Sequence, residues 1–91
     1  MAIVAVRVRI TGLVHGVFFR VSMANEAKSR GVSGWVRNAT DGSVQALLEG
    51  EEERVERVIE WARRGPPRAR VDNVQTERVR PRNSKGFRIE G

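Results

Sequence analysis

From residue 3 to residue 11 the chain alternates. Val4, Val6, Val8 and Ile10 fall on one side of an extended backbone, with Ala5, Arg7, Arg9 and Thr11 on the other. A period of two belongs to a strand with one buried face and one wet face. Such a strand is stable only in a sheet whose apolar side is covered by a second layer. With 91 residues the chain suffices for one domain, burying roughly 60–65% of its unfolded surface.

The covering layer is legible further on. Glu51, Glu52 and Glu53 load the start of one segment with negative charge, and Arg63 and Arg64 load its end, as a helix dipole favours. Between them Val55, Val58, Ile59 and Ala62 follow the i, i+3, i+4, i+7 spacing of an amphipathic helix. Gly65-Pro66-Pro67 ends it, and Trp61 lies off the centre of the apolar stripe, at a boundary position. A weaker helix precedes it. Ser22 is its expected N-cap, Met23, Ala24 and Ala27 its narrow stripe, Glu26 and Arg30 a one-turn ion pair, and Gly31 its stop.

Residues 32–38 and 43–49 read as strands, the second with Val44, Ala46 and Leu48 on one face. Ala39-Thr40-Asp41-Gly42 joins them with turn chemistry, so the two are expected to be antiparallel neighbours. Part of residues 71–79 reads as a fourth strand of poor alternation. Beyond a polar turn at residues 81–85, Phe87 and Ile89 mark a short edge segment within residues 86–90. The order strand, helix, strand, strand, helix, strand predicts an α+β fold. Specifically, it predicts a ferredoxin-like βαββαβ sandwich, an antiparallel sheet with both helices on one face.

The first strand runs into Gly12-Leu13-Val14-His15-Gly16-Val17-Phe18-Phe19-Arg20, directly ahead of the first helix. Glycines let consecutive N–H groups turn toward one centre, a helix N-terminus adds unpaired N–H groups, and arginine supplies a planar fork for a pair of oxygens. This composes a phosphate-sized anion site. It is not a Walker loop, since Gly16 follows Gly12 by four positions and Val17 stands where the lysine is needed, and the Gly-x-Gly-x-x-Gly fingerprint is missing. Glycine spacing alone serves a plain strand-to-helix turn with a solvated arginine equally well.

Composition narrows the chemistry. There is no cysteine, which excludes disulfides, thiolate metal sites and cysteine nucleophiles, and His15 is the single histidine. No metal or other cofactor is expected. The net charge of +6 is carried by 15 arginines among 17 basic residues, a field that draws anionic small molecules and, less specifically, nucleic acid. The apolar run of residues 2–6 is short and has no basic leader, so neither a secretory signal nor a membrane anchor is expected. A cytoplasmic location fits the lack of cysteine.

The loop residues resemble the first signature of the acylphosphatases, Gly-x-Val-Gln-Gly-Val followed by a variable position, Phe or Met, and Arg, here Gly12 through Arg20. The second signature of that family is matched by Gly34-Trp35-Val36-Arg37-Asn38 with Gly42, Val44 and Gly50 following. His15 stands where the family usually has Gln. The resemblance covers essentially the whole chain and implies a single acylphosphatase-like domain over residues 1–91, with the ferredoxin-like fold. It also implies hydrolysis of the carboxyl-phosphate bond of a small-molecule acyl phosphate, giving a carboxylate and inorganic phosphate. On the same footing Arg20 and Asn38 are the implied catalytic residues, and His15, Gly16, Val17, Phe18, Phe19 and Arg20 the implied phosphate cradle. Without the resemblance, Asn38 reads as a turn residue flanking a hairpin.

Two other readings share this fold. An RNA-recognition module needs stacking aromatics on its central strands, and the first and third strands here carry none, so no specific nucleic-acid partner is expected. A regulatory domain that binds phosphate without turnover uses the same loop. The residues leave the physiological acyl group and the oligomeric state open.

Overall fold

The computed structural model describes residues 2–90; residues 1 and 91 of the expected domain lie outside the described residues. Strand β1 (Ile3–Leu13) carries the alternation into the sheet: Val4, Val6, Val8 and Ile10 are buried on one face. Helix α1 (Phe19–Ser29), strands β2 (Ser33–Asn38) and β3 (Val44–Glu51), helix α2 (Glu52–Arg64), and strands β4 (Arg70–Val79) and β5 (Phe87–Glu90) follow. The sheet order is β4-β1-β3-β2-β5, and β1–β4, β1–β3 and β2–β3 are antiparallel. Helix α2 packs on β1, β3 and β4, and α1 on β2 and β5. One cluster joins the inner faces of both helices to the same side of the sheet. This is the expected ferredoxin-like sandwich.

Three details depart from the sequence reading. First, α1 starts at Phe19, three residues ahead of the expected cap. Ser22 instead closes the first turn, its N–H donating to the Phe18 carbonyl at 3.0 Å. Burial of Phe19 draws the helix start into the core, and Phe18 makes the cap through a left-handed backbone rather than a side chain. Second, β5 pairs parallel to β2, Gly34 to Phe87 through Arg37 to Glu90, so the sheet is mixed at that edge. Third, β4 is an edge strand with no fully buried position, only Val71, Val74 and Val79 being half-buried. That explains its weak alternation.

Two local devices shape the course of the chain, the first of them beside the loop that follows β1. Between Thr11 and Gly12 the β1–β4 register slips. Gly12 sits there at φ 128° with β4 so close that a Cβ would lie 2.1 Å from the Arg70 carbonyl oxygen, so only glycine fits. The bulge ends the β1–β4 ladder within two residues and sends the chain toward α1. The other device is the crossing from β4 to β5. Glu49 of β3, on the face away from the helices, is buried and accepts hydrogen bonds from the backbone N–H groups of Arg82, Asn83 and Ser84 and from Ser84 Oγ. The crossing strap is thus held by a carboxylate in a ring of donors.

Candidate active site

Residues 14–18 connect β1 to α1. Val14 is buried and anchors the loop at its start, and Phe19 anchors it at its end with a side chain only 1% exposed. Between these anchors Gly16 adopts φ 71° and Phe18 adopts φ 61°, ψ 27°. A Cβ on Gly16 would meet nothing within 4 Å, so glycine is required there for its dihedral and not for space. Left-handed residues interleaved with right-handed ones are the arrangement that turns successive N–H groups to one side. The Ser22 N–H donates to the Phe18 carbonyl at 3.0 Å, so α1 begins against the loop and turns the positive end of its dipole toward it.

Asn38 ends β2, opposite Val44. Its side-chain Oδ1 is buried and has no hydrogen-bond partner among the described residues. Buried acceptors are paired in most folded proteins, and an orphan at a cavity wall points to a bound group. The cavity here, about 300 Å³, is lined by Val14, Gly16, Phe18, Phe19, Arg20, Val21 and Asn38. Strand β2 and the first turn of α1 therefore bring the guanidinium-bearing residue and the orphaned amide to one hollow. A hollow of about 730 Å³ near Arg30, Glu51 and Glu52 is larger, but its walls include ion pairs such as Arg54 with Glu51 at 3.0 Å, and among the described residues no buried side-chain polar atom there lacks a partner.

Of the residues singled out in the sequence, Gly16, Phe18, Phe19, Arg20 and Asn38 line the cavity, whereas His15 and Val17 do not. Val17 packs against the core. The His15 ring reaches across to the β2–β3 turn, Nε2 donating to the Ser43 carbonyl oxygen at 2.9 Å. That carbonyl also accepts the Ala39 N–H at 2.9 Å. The turn itself is braced by Asp41, whose Oδ1 accepts from Ser43 Oγ at 2.6 Å and Ser43 N at 3.0 Å, and whose Oδ2 accepts from Arg9 at 2.7 Å. The Arg9 hydrogen bond, followed by those from Ser43, holds the Asp41 carboxyl well below the ordinary carboxylate range.

Val21 and the Asp41–Ser43 brace escaped the sequence reading. Val21 had a signal, since it is an apolar residue outside the Met23, Ala24, Ala27 stripe. The brace had none beyond ordinary turn composition. Among the described residues no group of three or more His, Cys, Asp or Glu side chains could hold a metal ion, and no helix is long and apolar enough to cross a membrane.

Comparison with known proteins agrees with this fold. Residues 6–89 match the family model for acylphosphatase. An acylphosphatase of Thermococcus kodakarensis is 50% identical over 88 residues, covering 97% of this chain and 97% of the relative. The solved acylphosphatase from Coxiella burnetii superimposes with a TM-score of 0.93 at 34% identity, over 97% of this chain and 93% of its own. That from Bacillus subtilis gives 0.93 at 31% identity, over 97% and 99%. With the loop, the fold and near-full-length identity in agreement, the chain belongs to the acylphosphatase family.

Proposed function

We propose that this chain hydrolyses the carboxyl-phosphate bond of acyl phosphates in the cavity between the residue 14–18 loop and Asn38, releasing a carboxylate and inorganic phosphate. Family membership at 50% identity over nearly the whole chain carries the reaction. The observation that supports its placement is the meeting of Arg20 with the buried, unpartnered Asn38 Oδ1 in one cavity.

The reaction asks little covalent help from the protein. An acyl phosphate is already activated, because the carboxylate is a good leaving group, so positioning and charge stabilisation carry the rate. The phosphoryl oxygens sit against the loop N–H groups and the Arg20 fork, which neutralise charge that shifts between oxygens as the bond breaks. Asn38 Oδ1 accepts a hydrogen from a water and so aims a lone pair of that water at phosphorus. The water–phosphorus bond forms as the bond from phosphorus to the carboxyl oxygen breaks, and the electron pair leaves with the carboxylate. An amide has no useful basicity, so the proton of the attacking water passes to a phosphoryl oxygen. His15 takes no part in this transfer, its Nε2 being committed to Ser43.

The test is incubation with benzoyl phosphate, following loss of the mixed anhydride and release of phosphate, for the unaltered protein and for Asn38→Ala. Turnover in the first and its collapse in the second supports the reading. Equal turnover in both moves the water elsewhere. A cytoplasmic location is part of the same proposal, supported by the cysteine-free composition.

A further inference from the structure

We infer that Phe18 and Val21 form an apolar shelf that receives the acyl group, so that this protein favours aryl and bulky alkyl acyl phosphates over small ones. The inference rests on the phosphoryl group lying against Arg20 and the loop, as proposed above.

Two consecutive phenylalanines at the loop's end have opposite fates. Phe19 is 1% exposed and its ring lies 5.4 Å from that of Trp61, centroid to centroid, inside the core. Phe18 is 77% exposed, so the fold gains almost nothing from burying its ring. It also holds a left-handed backbone, φ 61° and ψ 27°, which bulky side chains disfavour and which glycine or asparagine adopts with less strain. A large apolar ring on a strained, solvent-facing position is a poor choice for stability on both counts. Strain of this kind collects where a ligand is held.

The ring's place in the molecule suggests what it holds. Phe18 and Val21, the latter 49% exposed, line the same cavity as Arg20 and Asn38. Its volume of about 300 Å³ is at the lower end of what small organic ligands occupy and exceeds what a phosphoryl group alone needs. An acyl phosphate has two ends of opposite character. The dianionic end belongs with the guanidinium and the N–H groups, and the substituent on the carboxyl carbon must extend away from them. Phe18 and Val21 are the apolar surface available to that substituent at the mouth. An aromatic substituent gains both apolar contact and ring–ring contact there, whereas the methyl of acetyl phosphate is too small to gain much of either.

The test compares kcat/KM for benzoyl, butyryl and acetyl phosphate in the unaltered protein, in Phe18→Asn and in Val21→Ser. Asparagine tolerates the left-handed backbone, so the first variant removes the ring while keeping the cradle's shape. The second lies outside the cradle altogether. The expected result is a benzoyl-to-acetyl ratio above one that falls roughly tenfold in Phe18→Asn and severalfold in Val21→Ser, with butyryl phosphate between. Phe18→Asn should melt no lower than the unaltered protein. A ratio unchanged in both variants overturns the shelf and leaves the phosphoryl site standing. A melting point several degrees lower in Phe18→Asn makes the ring a structural support and overturns it too. Failure of the unaltered protein to hydrolyse any of the three removes the catalytic reading itself, and the shelf with it.

Discussion

His15 Nε2 donates to the carbonyl oxygen of Ser43 across 2.9 Å and so ties the loop ahead of α1 to the turn that follows Asn38. The two catalytic candidates stand on different elements, Arg20 on α1 and Asn38 on β2. The hydrogen bond adds a cross-link between the segments beside those two elements.

The consequence for His15 is specific. His15→Gln should keep most of the activity, because a glutamine amide can also donate to a carbonyl at similar reach. His15→Ala should lower kcat by roughly 10-fold with a smaller change in KM, since a loosened loop would misplace phosphorus relative to the water proposed to sit at Asn38. Steady-state kinetics of the two variants decide it. Equal loss in both would point to the ring itself and not to its hydrogen bond.

In the proposed site the charge work falls to arginine and backbone donors, so activity should be unchanged in excess chelator. Inorganic phosphate and sulfate should inhibit competitively. Either anion should also raise the melting temperature by several degrees at about ten times its dissociation constant, because it binds only the folded chain. A chelator titration and a melting series in phosphate measure this. Dependence on an added divalent metal, or melting curves indifferent to phosphate, would rule out the anion cradle as drawn.

Glu49 makes stability depend on acid. Burial alone pushes its carboxyl up, but the hydrogen bonds from Ser84 Oγ and from the backbone of Arg82, Ser84 and Asn83 outweigh it and hold the group below its ordinary 4.5. Asp41 is likewise held below its ordinary 3.8, chiefly by Arg9. For a depressed carboxyl the unfolded chain binds more protons than the folded one between the two pKa values, so stability rises with pH across that window. The contribution is complete above the ordinary carboxylate range and is lost as pH falls through it. Melting temperature should therefore drop on acidification below about pH 5. Glu49→Gln should lower stability at neutral pH by about 2–3 kcal/mol, the worth of hydrogen bonds to a charged group, and should flatten the acid limb. Denaturant melts of both proteins from pH 7 to pH 3 provide the check.

How much of this was open to a reader of the sequence depended on whether each feature was local. The stripe of Val55, Val58, Ile59 and Ala62 and the alternation of β1 are local patterns, and the structure buries those same side chains. The turn ahead of α1 and the residues it brings to the cavity were legible through Gly16 and Arg20, because dihedral freedom and charge are properties of single residues. The start of α1 was not, because Phe18 caps it by backbone conformation and sequence rules look for a capping side chain. Nor was Glu49. It occupies a solvent-face position of an ordinary alternating strand, and only the strap from residues 82–84, more than 30 positions away, buries it. The parallel pairing of β5 belongs with these, since its four residues are too few to carry a period.

The sharpest division of labour expected at the site lies between Arg20 and Asn38. In the proposed mechanism Arg20 meets the phosphoryl group before reaction begins, so it is expected to act in ground-state binding and in the transition state alike. Asn38 in the same proposal acts on the attacking water, an interaction realised chiefly in the chemical step. Arg20→Ala should therefore weaken phosphate inhibition and reduce turnover together. Arg20→Lys should rescue poorly, because an ammonium point charge cannot replace a two-pronged fork. Asn38→Ala should leave the phosphate inhibition constant nearly unaltered while kcat falls roughly 100-fold or more, the scale on which a lost oriented hydrogen-bonding group is felt. It also removes a buried acceptor with no partner among the described residues, so the variant should be no less stable than its parent, and circular dichroism with a thermal melt establishes that both proteins are folded before rates are compared. Lost phosphate affinity with preserved turnover in Asn38→Ala would place the amide on the phosphoryl group instead of on the water.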